Sequence, residues 1–290
     1  MLYVRATGGW NRAMTTHPEL ESKALRFKEL HEAQHGPLVL VNVWDAASAR
    51  MVEEAGATAV ATSSSAISWS MGYQDGDHLS RQLAMEALSR IVSATKLPVT
   101  ADIETGYGRT DEELQATIRA VLDAGAVGIN IEDSAEKPLT DMAEHSKRIS
   151  LIRQAAEDAG VGLFINARTD TYWSRSLGDA AYEETLRRAE AYQQAGADGV
   201  FVPGVADLHV LHELSRRIDL PLNALAGLGS PSPGELYDAG VRRISLGGST
   251  ARAAYEAVAR LAAEVLGDGN WSELAGTRSY AEMDALFGER

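Results

Sequence analysis

A short pattern recurs five times along the chain and constrains its fold more than any other feature. It reads Ala-Gly-Ala-Thr-Ala-Val at 55–60, Ala-Gly-Ala-Val-Gly-Ile at 124–129, Ala-Gly-Val-Gly-Leu-Phe at 159–164, Ala-Gly-Ala-Asp-Gly-Val at 195–200 and Ala-Gly-Val-Arg-Arg-Ile at 239–244. Each copy follows an Ala-, Glu- and Arg-rich stretch of helical periodicity. Each leads into a short run of Val, Ile or Phe. A helix that ends on a left-handed glycine and passes into a buried strand writes this pattern. Gly56, Gly125, Gly160, Gly196 and Gly240 therefore mark five helix-to-strand joints.

Three more apolar runs start after a proline, at Pro37, Pro98 and Pro221. Proline is tolerated where a strand begins and no ladder donor is needed. Eight strands are thus expected near 38–44, 58–63, 98–103, 127–132, 162–168, 198–203, 220–225 and 242–247. Strands alternating with helices predict an α/β chain with a parallel sheet, and eight units predict a closed (β/α)8 TIM-type barrel. An open doubly wound sheet is the alternative. A helix is expected at 17–32 before the first strand, and another at 249–266 after the last. The barrel domain is placed at 14–266, after a disordered extension at 1–13, with Met14 as an alternative start. The tail, 267–290, carries Trp271, Tyr280, Met283, Leu286 and Phe287 on a final helix-like segment and just before it. An apolar C-terminal helical extension outside a complete barrel needs a covering surface, either a neighbouring subunit or its own barrel.

Charge and composition exclude several roles. The chain of 290 residues has 41 acids against 27 Lys and Arg, a formal net charge of −14. Nucleic-acid binding needs clustered cations, and anionic membranes repel such a chain. There is no cysteine, which removes disulfides, thiolate metal sites and cysteine nucleophiles together. No run reaches the length of a membrane span and the start lacks a secretory signal's apolar middle. A cytoplasmic protein is expected, with no nucleic acid or membrane as partner.

In a barrel the chemistry sits at the C-terminal ends of the strands, and side chains alternate with period two. Asn42 with Trp44, Asp102 with Glu104, Asn130 with Glu132, and Asn166 with Arg168 then share faces; Asn223 is the polar residue of strand seven. Ser63-Ser64-Ser65 closes strand two, and Asp75 follows in a loop. Carboxylates converging on one cavity repel unless something neutralises them. One arginine cannot, whereas a hard cation can. Mg2+ takes oxygen ligands, uses few direct carboxylates and keeps several waters; Mn2+ is the alternative. Asp102 is read as the direct ligand, with Asp75, Glu104 and Glu132 holding metal waters. Ser63, Ser64 and Ser65 read as a nest of amides and hydroxyls for a substrate carboxylate, or as a plain turn. Arg168 reads as a guanidinium for a carboxylate or an enolate oxygen, or as a structural partner of Asp170. Trp44, Asn166 and Asn223 are substrate-binding candidates, with core packing the alternative for Trp44 and Asn223. His145, His209 and His212 read as surface residues. Gly247-Gly248-Ser249 resembles a phosphate loop, though small residues also suit tight helix packing.

With these residues in place, the chain resembles the isocitrate lyase/phosphoenolpyruvate mutase superfamily over about 39–254. The combination is specific: Asn-Val-Trp-Asp-Ala-Ala-Ser-Ala at 42–49, Ser63 with Met-Gly-Tyr-Gln-Asp at 71–75, Asp-Ile-Glu-Thr-Gly-Tyr-Gly at 102–108, Ile-Asn-Ile-Glu-Asp at 129–133, and Asn-Ala-Arg-Thr-Asp at 166–170. The resemblance implies a Mg2+-dependent barrel enzyme that makes or breaks a bond beside a 2-oxo acid through an enolate. It implies the same roles for Asp102, Asp75, Glu104, Glu132, Ser63 and Arg168, and a homotetramer, a dimer of dimers with swapped C-terminal helices. The chain departs from the family after Asp133. The Cys-Gly-His loop of isocitrate and methylisocitrate lyases is absent, and the Lys and Asn of the mutase loop are reduced to Lys137. Strand six ends in Val202-Pro203-Gly204, without the Glu or His of characterised members. The expected activity is therefore C–C cleavage or decarboxylation of a small 2-oxo or 2-hydroxy acid, with a pyruvate-like product and Tyr107 or Glu104 as base. Alternatives are C–P chemistry and a catalytically silent ligand-binding homologue.

Overall fold

The computed structural model describes residues 18–32, 36–134 and 138–288. The extension at 1–13 and Lys137 lie outside the described residues. Among the described residues nine parallel strands form one sheet: β1 (Leu38–Leu40), β2 (Asn42–Val43), β3 (Val60–Thr62), β4 (Val99–Asp102), β5 (Gly128–Glu132), β6 (Phe164–Arg168), β7 (Gly199–Phe201), β8 (Leu222–Leu225) and β9 (Val241–Ser245). Their order, β1-β9-β8-β7-β6-β5-β4-β3-β2, curls into a TIM-type barrel whose seam is the first strand itself. That strand, expected as one run, is split at Val41. Among the described residues β1 pairs with β9 and β2 with β3, and the two halves do not share a neighbour. The Asn42 carboxamide ties the two sides of the seam. Its Nδ2 donates to Thr62 O at 2.8 Å, and its Oδ1 accepts from the amides of Leu246 and Gly247 at 2.8 and 2.9 Å.

Helices α2 (Ala46–Glu54), α3 (Ser64–Ser70), α4 (Arg81–Ala94), α5 (Asp111–Ala124), α6 (Met142–Asp158), α7 (Ala181–Gln194), α8 (Leu208–Arg217) and α9 (Pro233–Asp238) intervene between the strands. In α5, Leu114, Thr117, Ile118, Val121 and Leu122 recur at helical spacing and are buried. A Thr110–Glu113 capping box starts this helix and left-handed Gly125 ends it. All five joint glycines adopt positive φ, from 69° to 103°. The first helix, α1 (Pro18–His31), plugs the N-terminal mouth. Phe27 and His31 meet Phe164 at the start of β6, with ring centroids 5.6 and 3.9 Å away.

His145 is not a surface residue. It lies in α6 at 1% exposure, 4.8 Å from the Tyr192 ring, and burial lowers its pKa to about 3. His209 and His212 are exposed. The last long helix, α10 (Ser249–Gly267), has Ala251 as its buried residue. Beyond it, α11 (Tyr280–Ala285) runs beside α2 of the same chain, through Arg278–Glu54 at 2.5 Å and Arg50 Nε donating to Leu286 O at 2.8 Å. Trp271 and Tyr280 stay 62% and 84% exposed. Among the described residues no helix is long and apolar enough to cross a membrane.

Candidate active site

Asp102 ends β4 and is held from two sides. Its backbone amide donates to Thr62 Oγ1 at 2.9 Å. Its Oδ2 accepts from the amide and hydroxyl of Ser64, at 3.2 and 2.8 Å. Ser64, expected in a substrate grip, is thus turned toward Asp102. Ser63 caps α3 through Ala66 N and bonds the Ser65 hydroxyl at 3.0 Å. Gly248 packs directly on this turn: a Cβ there would lie 2.8 Å from Ser65 Oγ and 2.9 Å from the Trp69 ring. With two neighbouring amides already bonded to Asn42, close packing accounts for the small residues of that loop. Trp44 is half-buried and tilts against Tyr255 of α10, 6.0 Å between ring centroids.

Strand alternation alone does not fix the direction of Glu104, because the residue lies past the end of its strand. The strand ends at Asp102, and Glu104 sits in a turn at φ +52°. Asp77 and Tyr107 nearby are also left-handed, at +58° and +49°. Such residues each cost of order 1–3 kcal/mol and concentrate where function demands a geometry. Glu104 contacts both of the others. Glu104 accepts from Asp77 N and from Tyr107 Oη, the latter at 3.2 Å, and Thr105 Oγ1 donates to Asp77. Gly106, at φ +102°, lets the turn pass Leu114, whose Cδ1 would be 2.6 Å from an added Cβ.

On the next strands, Glu132 ends β5 and Arg168 ends β6, in register. Arg168 Nη1 lies 2.5 Å from Glu132 Oε2. Its other edge is bidentate to Asp170, Nε to Oδ1 at 2.7 Å and Nη2 to Oδ2 at 3.0 Å. Its guanidinium carbon sits 4.9 Å from the Trp173 ring centroid and 5.7 Å from that of Phe201. Burial alone would weaken its charge, but Glu132 and Asp170 outweigh burial and hold it firmly protonated. The reading of Arg168 as a partner of Asp170 is met, and Glu132 is a second partner.

The acids sense one another. Burial raises Glu104 to about 8, with Asp77, Asp102 and Asp75 adding to the effect. Burial and then Asp102 push Asp75 up, although it lies on an exposed loop. Glu132 stands well above the carboxylate range, first through burial, then against the relief from Arg168. Burial and Glu104 raise Tyr107 in turn. The four metal candidates therefore share one field, which Arg168 and, through Asp102, the buried Arg243 also enter. Among the described residues no three acids or imidazoles form a cage for an ion. An ion that keeps its waters and takes one carboxylate directly needs no such cage, so the residues fit Mg2+.

Asn166 and Asn223 lie deeper than expected for substrate contacts. Asn166 Nδ2 donates to Asn130 Oδ1 at 2.9 Å and to Asn223 Oδ1 at 3.0 Å. Asn223 Nδ2 donates to Ala224 O and Ser245 Oγ at 2.8 and 3.2 Å. Both are at most 1% exposed. Asn223 takes the core-amide role. Asn130 Oδ1 also accepts from Arg243 Nη2 at 2.9 Å. Sequence reasoning passed over Asp77 and Arg243. The signal for Asp77 was an Asp-Gly-Asp run at 75–77; Arg243, the second of two adjacent arginines in a strand, carried none.

Fold and site together define a TIM-type barrel with an acid-lined C-terminal mouth and one clamped arginine. Residues 27–266 match the phosphoenolpyruvate phosphomutase family. An uncharacterized protein of Mycobacterium tuberculosis is 38% identical over 265 residues, 90% of this chain and 95% of that one. The 2-methylisocitrate lyase of Bacillus subtilis is 30% identical, over 70% of this chain and 67% of its own length. A crystal structure of lyase/mutase type from Burkholderia cenocepacia superposes with a TM-score of 0.86 at 32% identity, over 94% of this chain and 98% of that one. The chain belongs to the phosphoenolpyruvate phosphomutase family, within the isocitrate lyase/phosphoenolpyruvate mutase superfamily.

Proposed function

We propose that the protein is a Mg2+-dependent lyase acting on a small 2-oxo or 2-hydroxy acid, by C–C cleavage or decarboxylation through an enolate. The observation that carries this reading is Arg168. Glu132 and Asp170 hold its guanidinium at the barrel mouth, in the shared field of Asp102, Asp75 and Glu104. Asp102 would hold the ion directly, and Asp75, Glu104 and Glu132 its waters. Bound there, the ion supplies Lewis-acid polarisation of the substrate's oxygens. Arg168 supplies a fixed positive charge where enolate charge develops. Ser63 and Ser65 orient the substrate carboxylate, and Trp44 closes one side. Decarboxylation needs no general acid at the leaving group, which suits a chain without cysteine. Tyr107, hydrogen-bonded to Glu104, is the group that moves a proton if a hydroxyl must be activated. The family match itself favours a second reading, C–P bond chemistry on a phosphonopyruvate-type substrate. The exposed Trp271 and Tyr280 support assembly as a homo-oligomer through the tail.

The test is pyruvate release, coupled to NADH oxidation, from oxaloacetate and phosphonopyruvate, with Mg2+ and with EDTA. Asp102→Ala controls for decarboxylation by the free ion. Release from oxaloacetate that needs Asp102 supports the lyase. Release from phosphonopyruvate moves the protein to the C–P reading. Silence on both ends the preference for oxaloacetate and leaves a larger malate-type substrate or a binding protein.

A further inference from the structure

Behind Arg168 lies a buried network that the reaction outlined above does not use. Asp133 follows Glu132 and is fully buried. A buried carboxylate persists only when paired and hydrogen-bonded. This one is tied on both oxygens. Oδ1 accepts from the backbone amide of Asp170 at 3.0 Å. Oδ2 accepts from Arg188 Nη1 at 2.9 Å and from Tyr192 Oη at 2.7 Å. Its backbone is tied too: Asp133 N donates to Arg168 O at 3.2 Å, and Asp133 O accepts from Thr140 N at 2.7 Å. Arg188 and Tyr192 stand one turn apart on α7, so they present one face to the barrel. Arg188 is itself braced, with Nε donating to Glu184 at 2.8 Å and Nη1 reaching Thr140 O at 3.0 Å.

We propose that Arg188 and Tyr192 are positioning residues for Arg168. They lock the Asp133 carboxylate, Asp133 fixes the Asp170 amide, and the Asp170 carboxylate sets the plane of the Arg168 guanidinium. A buried ion pair adds little stability over an apolar pair of equal volume. What it adds here is an angle. The chain of contacts runs from an outer helix to the strand end that faces substrate, and each link has a donor and an acceptor of fixed direction. Ser134 Oγ donates to the same Asp170 carboxylate and completes its cradle. The inference rests on the reading of Arg168 as the substrate-facing cation.

The test uses Arg188→Lys and Tyr192→Phe in the full-length protein, alone and combined with Arg168→Lys. Loss of a partner that orients a site residue typically costs about 10–100-fold in activity. The expected result is a fall of about that size in kcat, with KM changed by less than about threefold. In the Arg168→Lys background the same substitutions cost less than about twofold, because the group they orient is gone. Equal losses in both backgrounds would overturn the proposal and leave a purely structural role. If Arg188→Lys does not fold, Tyr192→Phe carries the same comparison. A second arm needs no turnover. In protein labelled with 5-fluorotryptophan, the Trp173 resonance, assigned through Trp173→Phe, reports the guanidinium above its ring. Arg188→Lys is expected to shift it in the same direction as Arg168→Lys. An unmoved resonance refutes positioning. A shifted one, in a protein that turns over none of the substrates above, upholds positioning while the functional reading fails.

Discussion

Glu104 makes the stability of the metal-free protein depend on pH in an unusual direction. Its carboxyl is raised from 4.5 to about 8, chiefly by burial in the strained turn. Between those values the folded chain keeps a proton that the unfolded chain has released. The stabilisation is therefore complete below about pH 4.5 and is lost as pH rises toward about 8. A gap of this size corresponds to at most about 5 kcal/mol at 1.36 kcal/mol per pH unit. Relaxation of the turn toward water on ionisation trims that to about 2–4 kcal/mol. With an unfolding entropy near 2.1 cal/mol/K per residue, the melting temperature in EDTA should fall by about 3–7 °C between pH 5 and 8.5. Glu104→Gln cannot ionise. It leaves one of its two acceptor contacts, to Asp77 N or Tyr107 Oη, facing a carboxamide NH2 and so carries a constant offset. The pH slope should then diminish by about one proton per molecule. Differential scanning calorimetry across pH, with and without the substitution, measures this. Parallel slopes for the two proteins would refute the assignment of the raised group to Glu104.

Because Glu104 and Glu132 both stand above the carboxylate range, Mg2+ binding should release protons and strengthen as pH rises to about 8. Titration calorimetry in two buffers of different ionisation enthalpy reads the proton count, and a pH-independent affinity would count against the acid ring as the site. Asp102→Ala should weaken that binding at least tenfold. Arg168→Lys should lower kcat/KM by about 10²–10³, since an ammonium cannot hold Asp170 bidentately and meet Glu132 together; steady-state kinetics decides. Gly248→Ala should destabilise the fold by about 1–3 kcal/mol, because the new Cβ would press on Ser65 and Trp69; urea unfolding gives the figure, and a neutral result would mean that α10 shifts freely.

The barrel was legible because it is written in local terms. A helix needs its apolar spacing and a glycine to stop it, and a buried strand needs a short β-branched run. Those signals sit within a few residues of each other, so Gly125 and its four counterparts could be placed in advance. The motif residues at the strand ends followed from the same periodicity, which put Asp102, Glu132 and Arg168 on the correct mouth. The period-two rule runs out before Glu104, because β4 ends at Asp102 and the turn beyond it goes left-handed. Nothing local announces that reversal.

What the chain's own order determined is the number of units, their sequence in space and the chemical kinds of group at the open end. Tertiary structure alone decided which of those groups touch. Ser64 turned to Asp102, Asn42 mended the split first strand, and His145 went inside. Arg188 on an outer helix reached Asp133, 55 positions away, and through it the strand that carries Arg168. Contacts of this kind depend on closing long loops and on burying charges only where partners wait. The free energy of that closure belongs to the assembled barrel, and no window of neighbouring residues contains it.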